Sequence, residues 1–228
     1  MDKPATLEAT APIGIQLITD LRRRIVTGQL SPGSRLSEQE IAGTYGLSRQ
    51  PVREAFIKLS VEKLVEIRPQ RGTFVCRIDL NSVAQSQFVR EAVEADLARI
   101  VAGKADPAWI DQLGAQVAEQ ARHLNEGAAI FIALDETFHR TLAQAAGKEG
   151  VWSHIQPLKM HMDRVRYLTA EELPLDPIVT QHREIVEALR RGDADAAEAS
   201  IRTHLRVILE DLRKMAHIHP QFFEPIGS

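Results

Sequence analysis

Two pairs of metal-ligating residue types lie in the second half of the sequence. Asp135 and His139 are four residues apart in the run LDETFH, so on a helix their side chains share one face. His182 and His204 lie eleven residues to either side of Asp193, where a Gly-Asp pair predicts a turn. Two antiparallel helices with axes roughly 8 to 10 Å apart would bring both imidazoles to the same level. One carboxylate and three imidazoles suit zinc, nickel, manganese or iron(II), with one or two positions left for a ligand.

Spacing alone leaves other interpretations of these residues open. A histidine on a helix is usually a surface or hydrogen-bonded residue. Three histidines and a carboxylate also occur in catalytic sites, so a metal-dependent hydrolase or lyase is one alternative. Against catalysis, the neighbouring carboxylate Glu136 points about 100° away from Asp135 on a helix of 3.6 residues per turn. A metal sensor, in which the ion itself is the signal, is another alternative.

Charge is divided unevenly along the chain. Residues 13–78 hold eleven Lys or Arg against six Asp or Glu, a net charge of +5, whereas residues 79–228 hold sixteen against twenty-three, a net charge of −7. A basic small domain beside an acidic large one is typical of a nucleic-acid reader with a separate control module. The sequence shows no signal peptide and no membrane span, and Cys76 is its only cysteine. We therefore expect a cytoplasmic protein without a membrane partner.

The basic part of the chain has the pattern of three short helices. Residues 13–27 form the first, with an inner face made of Ile15, Ile18, Leu21 and Ile25. Ser37 and Glu40 form a capping box that opens a second helix, in which Tyr45 is expected to face inward. Ser48 stands at the N-cap of a third helix that runs to about Lys63. Two helices joined this closely predict a helix-turn-helix.

The exposed first turn of the third helix is rich in arginine. Arg49, Gln50 and Arg53 face outward there, at the end that enters the major groove in helix-turn-helix docking. Residues 64–68 and 73–78 predict a β-hairpin wing with a basic tip. Arginines on one helix can be a solvated face only, but the capping box, turn glycine, basic helix start and basic wing together favour DNA binding.

These features resemble the N-terminal domain of the GntR superfamily of regulators. The run PGSRLSEQEIAGTYGLSRQPVREAFIKLSVEKLVEIRPQRGTFV matches the pattern of that family almost without interruption. The resemblance covers residues 12–78 and implies a winged helix-turn-helix that binds double-stranded operator DNA. It assigns the DNA contacts to Arg35, Ser48, Arg49, Gln50, Arg53, Arg71 and Gly72.

The remainder of the chain, residues 79–220, is predicted to be an all-α bundle, which makes the protein mainly helical. Glycine and proline become sparse after residue 79, and helical periodicity dominates. The tails, residues 1–12 and 218–228, are expected to be poorly ordered and receive no role. The predicted helices cover residues 80–103, 107–125, 127–146, 149–169, 176–191 and 194–217.

The bundle resembles the FCD ligand-binding domain of the FadR-like branch of GntR regulators. Its motif residues stand at LDETFH, QHREI and RTHL, so the resemblance implies a divalent metal, zinc first, on Asp135, His139, His182 and His204. It further implies a non-enzymatic homodimer, most simply a repressor on a palindromic operator, that senses a small carboxylate metabolite. The start FVREAVEADLARIVA departs from the family pattern at Ala92-Val93 and Asp96. Arg90 and, less directly, Arg164 are the implied effector contacts, although either could instead cap a helix or pair with Glu94.

Overall fold

The structure, a computed structural model, describes residues 12–225, apart from the side chain of Glu171. The chain divides into two compact units. The first unit contains the described residues up to Asp79 together with residues 216–225, and the second contains Leu80–Met215.

The first unit is a winged helix-turn-helix, as predicted. Its three helices are α1 (Ile13–Val26), α2 (Glu38–Tyr45) and α3 (Arg49–Val61), and its three strands are β1 (Arg35–Leu36), β2 (Val65–Arg68) and β3 (Gly72–Val75). The strands form an antiparallel sheet in the order β1-β3-β2, in which Arg35 pairs with Phe74 and Ile67 with Thr73. The hairpin wing was expected, but the two-residue strand β1 was not, because two residues carry no detectable alternation.

The inner face of α1 differs from the prediction at one position. Ile15 is 60% exposed, whereas Leu17 is fully buried. The buried stripe also includes Asp20 and Arg24. With 100° of rotation per residue, Ile15 lies about 140° from the centre of that stripe. The sequence pattern missed this because Asp20 and Arg24 are polar, yet both are buried.

Tyr45 explains why these two polar residues can be buried. Its hydroxyl hydrogen-bonds to Asp20, and Arg24 Nη1 donates to the same hydroxyl over 3.2 Å. Tyr45 itself is only half-buried. The helix pair α1 and α2 is therefore joined by a polar network beside its apolar core, because buried polar groups require partners.

Residues 219–225 are ordered, contrary to the expectation of a tail from residue 218. A 3₁₀ turn, Pro220–Phe222, precedes Phe223, which is 3% exposed. The amide of Ile78 donates to the carbonyl of Phe222 over 2.9 Å, and the amide of Glu224 donates to the carbonyl of Ile78 over 3.0 Å. This segment is part of the first unit. Residues 1–11 and 226–228 of the predicted tails lie outside the described residues.

The second unit consists of helices throughout. They are α4 (Leu80–Lys104), α5 (Pro107–Arg122), α6 (Ala128–Ala145), α7 (Glu149–Leu158), α8 (Met160–Glu172), α9 (Asp176–Arg190) and α10 (Ala194–Ile218). The apolar core is formed mainly by α4, α5, α6, α9 and α10. No helix among the described residues is both long and apolar enough to cross a membrane.

One predicted helix, over residues 149–169, is divided in two. Helix α7 contains Pro157 and ends at Leu158, and α8 begins at Met160. Pro157 has no amide hydrogen to donate to the preceding turn, and its ring crowds that turn. Lys159 at the junction is 1% exposed, and its ammonium group donates to Glu136 over 2.8 Å and to Asp163 over 2.9 Å. The break therefore places a fully paired lysine inside the bundle.

Candidate metal centre and DNA-binding surface

Three helices of the bundle bring the four predicted metal ligands together. Helix α6 carries Asp135 and His139 one turn apart, and the antiparallel helices α9 and α10 carry His182 and His204. All four side chains are buried, and one potential ligand atom from each lies within 4.8 Å of the others. The equal spacing of the two histidines from the turn at residues 192 and 193 thus predicted correctly that they would meet.

Each of the three imidazoles turns its Nε2 atom toward the others. His204 Nε2 lies 3.2 Å from His182 Nε2 and 3.2 Å from His139 Nε2. Asp135 adds its two carboxylate oxygens, with Oδ2 at 3.7 Å from His139 Nε2 and Oδ1 at 3.7 Å from His182 Nε2. Three nitrogens and one carboxylate thus point at a common volume.

Each imidazole is oriented by an acceptor at its other nitrogen. His139 Nδ1 lies 2.6 Å from Glu94 Oε2, and His204 Nδ1 lies 3.0 Å from Gln181 Oε1. His182 Nδ1 lies 2.7 Å from the Oε1 atom of Gln120, whose own amide nitrogen donates to a backbone carbonyl of α6. A carboxylate and two amide oxygens can only accept, so Nδ1 carries the hydrogen in all three rings. The three Nε2 atoms therefore face one another as bare lone pairs.

This donor set fits a divalent metal ion. Converging lone pairs repel one another unless a cation lies between them, and imidazoles held at Nδ1 by carboxylate or amide partners are typical of metal sites. Asp135 Oδ1 is buried and has no hydrogen-bond partner within residues 12–225. A buried carboxylate oxygen without a donor is costly, so a cation at this position would satisfy it. The four residues could hold zinc, or another ion that accepts imidazole and carboxylate.

The charge states of the site agree with metal binding. Burial would raise the pKa of Asp135, but Arg166, which forms an ion pair with it, holds the pKa well below the usual value. Burial likewise opposes ionisation of Glu94, and Arg90 overcomes it, lowering the pKa to about 2. Burial lowers the pKa of His182 to about 3 and also lowers that of His204. The carboxylates are therefore ionised and these two imidazoles neutral, the states that metal ligands require.

A small cavity of about 50 Å³ is lined by two of the four candidate ligands, Asp135 and His204. Arg90 reaches it from α4, forms an ion pair with Glu94, and leaves its buried Nη2 atom without a hydrogen-bond partner among the described residues. Arg90 therefore makes the ion pair with Glu94 that the sequence left open, and it also lines the cavity in which an effector contact would lie. Arg164 is buried on α8 but is not among the residues that line the cavity, whereas Arg166 is.

Arg166 and the three acceptors behind the histidines were not predicted from the sequence. Glu94 had a detectable signal, since it lies one helical turn after Arg90. Gln120 is fully buried although glutamine is usually exposed, but its burial cannot be seen in the sequence. Nothing in the sequence distinguishes Arg166 from Arg164 as the partner of Asp135.

Six of the seven predicted DNA-contacting residues are exposed in the first unit, and Gly72 is half-buried. Helix α3 presents Arg49, Gln50 and Arg53 from its first two turns, while Val52, Ala55, Phe56 and Leu59 are buried. Arg49 pairs with Glu38 at 2.7 Å, and Gln50 donates to Glu54 over 3.0 Å. Ser48 occupies the N-cap position, but its hydroxyl makes no capping hydrogen bond. The exposed hydroxyl of Ser48 and the backbone amides at the N-terminus of α3 can donate hydrogen bonds to a phosphate.

The wing extends this surface. Arg71 is exposed at its tip, and Gly72 follows with φ of +107°, a conformation that favours glycine. A Cβ atom at Gly72 would lie 2.9 Å from Arg35 Nε. The side chain of Arg35 thus lies against the wing next to its tip. Arg35, Arg49 and Gly72 line one concavity between β1, the wing and the helix-turn-helix.

Comparisons with known proteins match a separate family model to each of the two units. Residues 15–75 match the model of the gntR family of bacterial regulatory proteins, and residues 86–207 match the FCD domain model. The chain is 36% identical over 223 residues to the HTH-type transcriptional repressor RspR of Escherichia coli, covering 95% of this chain and 96% of that protein. It is 39% identical over 207 residues to an uncharacterized HTH-type transcriptional regulator of Streptomyces ambofaciens, covering 89% and 86%.

A solved structure is similar over nearly the whole chain. It is a putative transcriptional regulator GntR from Rhodococcus sp., with a TM-score of 0.69 and 26% identity, covering 88% of this chain and 97% of that one. The two family models and the names of these relatives indicate a transcription regulator and not an enzyme. The chain therefore belongs to the GntR family of DNA-binding transcription regulators, with a C-terminal FCD domain.

Proposed function

We propose that the protein is a metabolite-responsive repressor that acts in the cytoplasm as a homodimer on a palindromic operator. Arg49, Gln50 and Arg53 of each α3 would read bases in the major groove, while Arg35, Ser48 and the wing tip around Arg71 would hold phosphates. The two-fold symmetry of a dimer matches two half-sites one helical turn apart. Repression is supported by the similarity to the Escherichia coli relative, which is named a transcriptional repressor.

The bundle would hold one divalent ion on Asp135, His139, His182 and His204, and an organic acid would complete its coordination. The observation that carries this proposal is the convergence of three Nε2 atoms, with that of His204 at 3.2 Å from each of the other two, beside an Nη2 atom of Arg90 that has no hydrogen-bond partner within residues 12–225. A guanidinium nitrogen with nothing to donate to, next to an open metal position, is a natural partner for a carboxylate.

Elemental analysis of the purified protein tests the metal centre. We expect one divalent ion per chain, retained through dialysis, and its loss in the His139→Ala variant. His154→Ala is the matched control, because His154 is exposed on α7, away from the four ligands. Equal metal content in the two variants would remove the centre from the proposal.

Operator binding at fixed salt tests the regulatory step, using a palindrome selected from random DNA. An effector regulates only if its affinity differs between the DNA-bound and the free protein. We expect an organic acid to weaken operator binding by the metal-loaded protein. An acid that binds equally well with and without operator would contradict the regulatory role. A change in operator affinity caused by the metal alone would instead indicate a metal sensor.

A further inference from the structure

The cavity beside the metal centre has two unlike ends. One end is polar and contains Arg90, Asp135, Arg166 and His204. The rest of the wall is mostly apolar, with Thr169, Gln181 and Asp211 as its polar members, and it comes from α6, α8, the turn before α9, and the helices α9 and α10. Its main contributors are Phe131, Ile132, Leu175, Ile178, Leu205 and Ile208. A ligand that enters with its charge toward the metal therefore places its other end against hydrocarbon.

Ion pairs connect the charged groups around the polar end, so their charges can be counted as one network. The cations of this network are Arg90, Arg166 and Lys159. The carboxylates are Glu94, Asp135, Glu136 and Asp163. Three positive and four negative groups among the described residues leave a net charge of −1.

This count determines the charge that a ligand must bring. Imidazoles bound to a metal are neutral, so a divalent ion changes the net charge of the network from −1 to +1. A single carboxylate then makes the buried site neutral, whereas a dicarboxylate returns it to −1. An uncompensated charge in a buried site is expensive, so the balance favours a monoanion.

Asp211 makes a second carboxylate unfavourable at the far side of the cavity. It lines the cavity from α10, seven residues after His204, which places it on roughly the same face about 10 Å away. Its side chain is only 14% exposed, and it pairs with Lys214 at 3.4 Å. Burial raises its pKa, which shows that negative charge is already disfavoured there. A ligand carboxylate at that end would meet this group.

A ligand with several hydroxyl groups would also find few hydrogen-bond partners in the cavity. A sugar acid carries a hydroxyl on nearly every carbon, and apart from Thr169, Gln181 and Asp211 the cavity wall offers these groups no hydrogen-bonding side chain. Each unsatisfied buried hydroxyl costs on the order of 1 to 3 kcal/mol. The cavity of about 50 Å³ also limits the ligand to a few atoms unless the helices move apart.

We infer that the effector is a small aliphatic monocarboxylate, bound with its carboxylate at the metal and Arg90 and its alkyl end against Ile178, Leu205 and Ile208. This inference rests on the function proposed above and specifies the ligand of the same site. It excludes dicarboxylates and polyhydroxylated sugar acids as the preferred effectors.

Isothermal titration of the zinc-loaded full-length protein with butyrate, succinate and gluconate tests the inference. We expect butyrate to bind at least about tenfold more tightly than either of the others. In the Ile178→Thr variant we expect butyrate to lose several-fold in affinity while gluconate does not. Ile130→Thr is the matched control, since Ile130 is 42% exposed on the surface of α6 and does not line the cavity.

The outcomes separate this inference from the proposed function. Tighter binding of succinate or gluconate overturns the ligand class, while carboxylate sensing at the metal stands. Equal effects of Ile178→Thr and Ile130→Thr on butyrate overturn the assignment of the apolar wall. If none of the three acids binds to protein that retains zinc, effector binding at the metal fails, and the ligand class fails with it.

Discussion

His139 Nδ1 lies 2.6 Å from Glu94 Oε2, a contact that joins the metal-ligand helix α6 to α4. Both side chains are fully buried, and Glu94 is held in turn by Arg90. In the function proposed above, Glu94, which orients a proposed metal ligand, is thus bonded directly to Arg90, the proposed effector contact. Metal and effector affinity should therefore depend on one buried chain of contacts, because such partners fix ring orientation and raise ligand basicity.

Replacing Glu94 with glutamine tests that chain. The amide keeps the shape of the side chain but loses the negative charge that holds the imidazole of His139. We expect zinc affinity to fall about 10- to 100-fold, as measured by competition with a chromogenic chelator. Glu91→Gln is the control, because Glu91 lies on the same helix but pairs with Arg206 instead of a histidine. Similar zinc affinities in the two variants would show that Glu94 has only a structural role.

The metal-free protein should lose stability in mild acid. His182 and His204 are buried with lowered pKa values, to about 3 for His182. Below the ordinary histidine pKa of about 6.5 the unfolded chain binds protons that the folded protein does not. The free energy of unfolding should therefore fall as the pH drops through about 6.5, by about 2 to 3 kcal/mol between about pH 7.5 and 5.5 for the two groups.

Urea denaturation with a chelator present measures this loss. We expect His182→Gln to halve the fall in stability over that pH interval, since one of the two groups is removed. His154→Gln replaces an exposed histidine of the same unit and should leave the fall unchanged. A wild-type protein equally stable at both pH values would mean that the buried imidazoles are not held neutral. Carboxylates such as Glu94 lose their contribution only at lower pH, so they do not obscure the result.

The sequence was sufficient to predict that the four proposed metal ligands lie together, because helical geometry relates them. Asp135 and His139 are one turn apart, and the turn after α9 sets the level of His182 against His204. The supporting residues depend on which helices pack together, and that is a property of the tertiary structure. Gln120, for example, reaches His182 from a position 62 residues earlier in the chain.

The errors in the predicted fold have the same origin. Ile15 followed the apolar pattern of α1 but lies at the surface, because Asp20 and Arg24 take inner positions through their bonds to Tyr45. Hydrophobic periodicity registers only apolar residues, so it cannot reveal a paired polar group in the buried stripe. The order of the segment around Phe223 depends on its hydrogen bonds with Ile78, far away in the sequence.

Removing the arginines of α3 should weaken operator binding. Arg49→Ala and Arg53→Ala should each cost about 1 to 3 kcal/mol if the side chains read bases. Arg53 is exposed with no ion-pair partner among the described residues, whereas Arg49 is shared with Glu38. Glu38→Gln should therefore tighten binding, because it releases Arg49 and removes a negative charge from the surface.

Lysine replacements separate base reading from phosphate binding. Arg53→Lys keeps the charge but cannot form two parallel hydrogen bonds to guanine. We expect it to relax sequence preference in a gel-shift titration at fixed salt while leaving non-specific affinity nearly unchanged. Arg140→Ala, an exposed arginine of α6 in the second unit, is the control for a general loss of positive charge. Unchanged operator affinity in Arg49→Ala and Arg53→Ala would remove both residues from the interface.

Substituting Gly72 should damage the wing without touching the recognition helix. Alanine disfavours φ of +107°, and its Cβ atom would approach within 2.9 Å of Arg35 Nε, so Arg35 must move. We expect Gly72→Ala to lower the free energy of unfolding by about 1 to 2 kcal/mol and to weaken DNA binding at all sequences alike.

Gly14→Ala is the matched control for Gly72→Ala. Gly14 lies in α1, and a Cβ atom added there would have no neighbour within 4 Å among the described residues outside its own helix backbone. Alanine at this position should be neutral or stabilising, since it favours helix. Wild-type operator affinity in Gly72→Ala, measured where the variant is fully folded, would show that the position of Arg35 does not matter for DNA binding.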